Sequence, residues 1–161
     1  MIVLSRIDDR LILGQVVECW VNFLKATRIV VADDRVAANA FQRTIMELSV
    51  PQGLKVTISK IEDICDQLRE AALEADRILL LFSNPVDVVR AVKSGLDCRA
   101  LNIGGMHYIP GKRKLMDVLA VDDADLAALK ELSAQGIKVD IQTVPNQRAV
   151  SLEKVFIACH V

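Results

Sequence analysis

Met1-Ile2-Val3-Leu4-Ser5-Arg6-Ile7-Asp8-Asp9-Arg10-Leu11-Ile12-Leu13-Gly14-Gln15-Val16 opens the chain, and its reading decides the fold. A β-branched, apolar run (Met1 to Leu4) passes into four charges within five residues, Arg6 to Arg10. A helical pattern follows at once, with Val16, Trp20, Phe23 and Leu24 on one stripe. Strand, charged loop and helix N-terminus in that order form the unit with which open α/β proteins hold ligands.

The same alternation continues outward. Strands are expected at Ile2–Leu4, Arg28–Ala32, Leu54–Ile58, Arg77–Phe82, Ala100–Ile103, Leu115–Val121 and Gly136–Ile141. Helical stripes fall between most of them: Ala37, Phe41, Ile45 and Leu48; Ile61, Ile64, Cys65 and Leu68; Val89, Val92 and Leu96; Leu126, Leu129 and Leu132. Asn84-Pro85 reads as an N-cap with proline in the first turn, and Gly95 and Gly136 read as helix ends. Pro51-Gln52-Gly53 and Gly111-Lys112-Arg113 read as turns. The apolar run Ile78 to Phe82 suits a strand buried on both faces. The expectation is an α/β fold: one domain over residues 1–161, with an open, mainly parallel sheet of about seven strands and helices on both faces.

Composition narrows the function. The 161 residues are 52% apolar and 25% charged with a formal charge of −1, which is globular. A chain of this length buries roughly 70% of its unfolded surface. No basic stripe with interleaved aromatics is present, so nucleic acid is not an expected partner. No apolar run is long enough to span a bilayer, and the first residues lack the pattern of a secretion signal. Cys19, Cys65, Cys98 and Cys159 show no paired or zinc-like spacing, so reduced, mostly buried thiols of a cytoplasmic protein are expected, with no metal and no cofactor.

Three segments stand at strand ends and are polar or glycine-rich: Arg6 to Gln15, Ser83-Asn84-Pro85, and Asn102-Ile103-Gly104-Gly105-Met106-His107. Unpaired amides at helix N-termini, the close approach that glycines allow, and the guanidinium groups of Arg6 and Arg10 suit an anion, most simply phosphate. Asp8 and Asp9 would hold those arginines or orient an imidazole. Neither a P-loop nor a G-x-G-x-x-G fingerprint occurs.

Arg6 to Val16 resembles the active-site signature of the mannose/sorbose-family enzyme IIB of the bacterial sugar phosphotransferase system, roughly R-x-D-x-R-L-I-H-G-Q-V. The likeness extends in order through Val30 to Asp34, Val36 to Asn39, Leu79 to Pro85, Leu101 to Met106, Leu126 to Val139 and Val144-Pro145. It implies a cytoplasmic phosphate relay between a histidine of enzyme IIA and a sugar on membrane IIC/IID components. It also implies a loop of Asp8, Asp9 and Arg10 around the acceptor, with Arg6, Arg10, Gly14, Ser83, Asn102, Gly104 and Gly105 on the phosphate side. Leu13 stands where that family carries its phosphoacceptor histidine, and a hydrocarbon has no lone pair to offer phosphorus.

Three readings follow. The chain is a docking or regulatory module impaired in phosphate acceptance, which binds IIA, a permease partner or a regulatory protein. Alternatively it is an active phosphocarrier that uses His107 as a surrogate or has undergone a histidine-to-leucine change. A third reading, an unrelated small-molecule enzyme of doubly wound fold, is disfavoured by the missing fingerprints. The sequence leaves a homo-oligomer open; Trp20 and Phe23 are expected to pack on the sheet and, if exposed, would mark a partner surface.

Overall fold

A computed structural model describes residues 1–12 and 14–161; the expectation placed on Leu13 lies outside the described residues. The elements in chain order are β1 (Ile2–Asp8), α1 (Gln15–Leu24), β2 (Arg28–Ala32), α2 (Asp34–Ala37), α3 (Ala40–Ser49), β3 (Lys55–Ser59), a 3-10 turn (Ile61–Asp63), α4 (Ile64–Leu73), β4 (Ile78–Phe82), α5 (Pro85–Lys93), β5 (Ala100–Gly105), β6 (Arg113–Met116), β7 (Leu119–Val121), α6 (Asp123–Ala134), β8 (Lys138–Ile141), β9 (Val150–Ser151) and α7 (Leu152–Cys159).

The main sheet has seven strands in the order β3-β2-β4-β1-β5-β8-β9, parallel except for β9. Side chains alternate between its faces. Val30, Leu80 and Phe82 point into a core shared with α4, α5, α6 and α7. Ile29, Val31, Leu79 and Leu81 point into a second core with α1 and Met46 of α3. This double burial is why β4 is apolar at every position.

Several boundaries differ from the expectation. Leu115–Val121 is not one strand of the main sheet. It folds as the antiparallel pair β6 and β7, and the seventh sheet strand is β9. Exposed Asp117 sits at the turn that splits the apolar run. The second helical stripe breaks at Asn39, whose side chain accepts from the Gln42 amide and caps a new helix. Only Met46 of α3 is buried, and Phe41 and Leu48 are exposed. Phe23 is exposed as well, whereas Trp20 is buried as expected. Cys19 lies on the solvent side of α1, so the four free thiols are not mostly buried.

β1 runs on to Asp8, further than its apolar start suggests. Paired on both sides, Arg6 lies between Leu81 and Asn102, and Asp8 lies opposite Gly105. Arg6 and Asp8 are therefore strand residues, fixed by the sheet, and only Asp9 onward forms the loop.

Candidate active-site loop and cleft

Arg6 is 0% exposed. One guanidinium nitrogen donates to Asn102 Oδ1 and to the Gln142 carbonyl at 2.9 Å; the other donates to the Thr143 carbonyl at 3.0 Å and Asp8 Oδ2 at 3.3 Å. The cation also lies 5.2 Å from the centre of the Trp20 ring, whose N–H donates to the same Thr143 carbonyl at 2.9 Å. Burial pulls the guanidinium below its ordinary value, and the Asp8 charge opposes that. With its two terminal nitrogens committed to protein acceptors, Arg6 cannot serve as the open phosphate fork expected of it. It braces the loop from below.

Asn102, Gly104 and Gly105 are likewise corrected. They are buried residues of β5, not an open glycine loop. A Cβ on Gly104 would stand 1.9 Å from Arg6 Nη2, and one on Gly105 would stand 2.6 Å from His107 Cε1. A side chain at residue 104 would displace the pinned, buried guanidinium, and one at residue 105 would push the half-exposed His107 ring aside. Asn102 is a ligand of Arg6.

Asp8, almost fully buried, joins the two arginines. While Oδ2 takes Arg6, Oδ1 accepts the Arg10 amide at 3.0 Å and Arg10 Nε at 3.5 Å. Arg10 is thereby aimed outward with its side chain 47% exposed. Asp9 turns the other way. Its carboxylate takes the His107 amide and His107 Nδ1, each at 2.6 Å, and its own amide donates to the Gly105 carbonyl at 3.0 Å. Leu11 has φ +52°, an unusual conformation for leucine, and is buried with Ile12 against the α1 core. Gly14, φ +108° and exposed, precedes α1 and offers no side-chain cap. His107 thus lies against the loop through Asp9. His160 follows α7 with φ +55°, its amide donating to the Ile157 carbonyl at 3.2 Å.

The open concavity is not beside the glycine pair. It is a cleft of about 1000 Å³ beyond Arg10, between the loop, α2, α3 and the start of α5. Ser83 lines it and donates to Asp33 Oδ2 at 2.7 Å; Asp33 Oδ1 in turn caps α2 through the Val36 amide. Asn84 caps α5 as expected, accepting from the Asp87 amide at 2.9 Å. Arg90 bridges Asp34 and Asp87, each at 2.9 Å, and is raised by both carboxylates. The Ile61 amide, then Arg90, hold the Asp34 carboxyl below its ordinary value. Sequence reasoning missed Arg35, Phe41 and Arg90 on this wall. The available signal was Asp33-Asp34 following β2 at the same sheet edge as Asp8-Asp9 and Ser83-Asn84. No group of three or more potential metal ligands occurs among the described residues.

A family model for the phosphotransferase (PTS) system sorbose subfamily IIB component matches residues 2–160. The chain belongs to the sorbose-subfamily IIB family. It is 38% identical over 154 residues to the N-acetylgalactosamine-specific enzyme IIB component 2 of Escherichia coli K12, covering 96% of this chain and 98% of that protein. It is 35% identical to the sorbose-specific EIIB component of Klebsiella pneumoniae, covering 94% and 92%. The mannose-specific EIIAB component of E. coli is 35% identical over 141 residues, 88% of this chain and 44% of that longer protein. The crystal structure of the K. pneumoniae IIBSor domain superposes with a TM-score of 0.91 at 34% identity, covering 98% and 97%. No helix among the described residues is long and apolar enough to cross a membrane.

Proposed function

We propose that this IIB component docks its phosphotransferase partners without accepting phosphate at position 13, and so acts as a docking or regulatory module on the cytoplasmic side. One observation carries the reading: residue 13 is leucine. Phosphoryl transfer from a phosphohistidine needs a nucleophile's lone pair in line with the breaking P–N bond, and a hydrocarbon supplies none. What surrounds that position supports retained recognition. Arg10 is held outward by the buried Asp8, itself backed by Arg6, an arrangement suited to a partner's phosphoryl oxygens. IIA and the IIC/IID permease, or a regulatory protein, are the partners this implies.

The Asp9–His107 pair favours a second reading, in which the IIB component remains active. A carboxylate on Nδ1 fixes the ring and leaves Nε2 with its lone pair; the side chain is 41% exposed. In that reading Nε2 attacks phosphorus, the P–N bond of the phosphohistidine donor breaks, and the donor imidazole leaves with the electron pair.

Labelled phosphoenolpyruvate passed through enzyme I, phosphocarrier protein and IIA separates the two. The first reading expects a complex with phosphorylated IIA and no acid-labile label on this chain. Label that disappears in His107→Ala would overturn it and establish the surrogate.

A further inference from the structure

The loop in which position 13 falls runs between the end of β1 at Asp8 and the start of α1 at Gln15. One backbone oxygen ties down the chain on both sides of it. The Thr143 carbonyl accepts from Arg6 Nη2 at 3.0 Å, ahead of the loop, and from Trp20 Nε1 at 2.9 Å, behind it. Thr143 belongs to the segment 142–147 between β8 and β9, far from the loop in sequence. We propose that this segment is a clamp that sets the span of the loop, and that Gln147 is the positioning residue that holds the clamp in shape.

Arg6 takes half of its hydrogen bonds from the segment. Nη1 donates to the Gln142 carbonyl at 2.9 Å and Nη2 to the Thr143 carbonyl; the other two acceptors are Asn102 Oδ1 and Asp8 Oδ2. The buried Nε has no partner among the described residues. A fully buried cation so placed has no spare protein acceptor, and a shift of the two carbonyls leaves its N–H groups unmet. The loop feels such a shift through Asp8, which pairs with Arg6. The Asp8 carboxylate accepts the Arg10 amide at 3.0 Å, and its carbonyl accepts the Leu11 amide at 2.9 Å.

The clamp is stiffened by its own ends. Gln147 Oε1 accepts the Thr143 amide at 2.8 Å, while Gln142 Nε2 donates to the Gln147 and Pro145 carbonyls at 2.8 and 3.2 Å. The Thr143 hydroxyl donates to the Gly104 carbonyl at 3.4 Å. Thr143 is thus held at its amide by Gln147 while its carbonyl serves Arg6 and Trp20. Gln147 is itself exposed, so a change there loosens the clamp without emptying the core. Its side-chain oxygen is the atom in use: glutamate keeps that acceptor and leucine removes it.

What the clamp does for recognition rests on the docking reading, because Arg10 meets a partner's phosphoryl oxygens only while the loop keeps its span.

Hydrogen exchange followed by NMR on the intact chain, with Gln147→Leu and Gln147→Glu, tests the proposal; the single tryptophan gives one indole N–H signal. In Gln147→Leu the Leu11 amide and the Trp20 indole N–H are expected to exchange about fivefold faster, the ratio that one ordinary hydrogen bond sets, while the Leu129 amide of α6 keeps its rate. Gln147→Glu is expected to match the parent at both. Titration with IIA adds a second readout: the preference for phosphorylated over unphosphorylated IIA is expected to fall with Gln147→Leu and to return with Gln147→Glu. Unchanged exchange at Leu11 and Trp20 overturns the proposal. So does equal acceleration at Leu129, which marks a loss of global stability alone, and so does an unchanged preference for phosphorylated IIA when exchange has risen. Exchange as expected, with no complex between the parent chain and phosphorylated IIA, sustains the clamp and overturns the docking reading instead.

Discussion

Arg6 and Gly104 define each other's space. The guanidinium lies where any β-carbon on residue 104 would stand, and nearby backbone and side-chain acceptors hold it there. Gly104→Ala therefore forces the buried cation off its partners. It is expected to cost about 3 kcal/mol or more, read from urea unfolding midpoints. Arg6→Met is expected to be at least as damaging, because it strips the buried Asp8 carboxylate of its buried counter-ion and leaves only Arg10 Nε at 3.5 Å. The sequence displayed both residues, but as members of two polar loops around a phosphate. That β1 continues through Asp8 with Arg6 turned into the interior depends on its two neighbouring strands, and no local pattern reports those. Asn84 was legible because a helix cap is a local device, and Asp9–His107 was half legible as an imagined imidazole partner.

At the scale of elements, alternation and capping carried most of the information. The strands β2, β4 and β5 and the helices α5 and α6 follow from apolar runs and end signals within a few residues of chain. α6 shows why: Asp122 accepts from the Asp125 amide at 2.7 Å while Asp125 accepts from the Asp122 amide, a reciprocal cap. Asp122→Ala is expected to lose about 1 kcal/mol in urea denaturation. Failures came where pattern meets tertiary choice. A run such as Leu115 to Val121 looks the same whether it crosses the main sheet or folds back as β6 and β7. The stripe through Phe41, Ile45 and Leu48 has helical period, yet the chain turns it outward. The outward turn of Phe41 is what gives the cleft its aromatic rim.

The whole molecule has two charged ends. Opposite the site, Thr27, Arg28 and Lys55 gather on Asp76, with Glu74 at the rim. Burial alone would raise the Asp76 carboxyl, but bonds from Arg28, Thr27 and Lys55 outweigh it and hold it low. The Lys55 bond holds Glu74 low, and the Ile61 amide does the same for Asp34. Carboxyls depressed on folding add stability above their unfolded range and lose it as pH falls through the folded values. Urea midpoints are expected to be level near neutrality and to decline below about pH 4; Asp76→Asn should be less stable at neutral pH with a shallower acid decline. The fold, then, was readable from one chain because every layer repeats the same rule. The site was readable in outline only, since its cleft is built from the ends of three strands that the sequence keeps far apart. Phosphate acceptance turns on the residue at position 13, a leucine, and the direct test is to restore the missing nitrogen. With labelled phosphoenolpyruvate and the full relay through IIA, Leu13→His is expected to gain acid-labile label while the parent chain stays unlabelled under identical conditions. Equal labelling of the two proteins would contradict it.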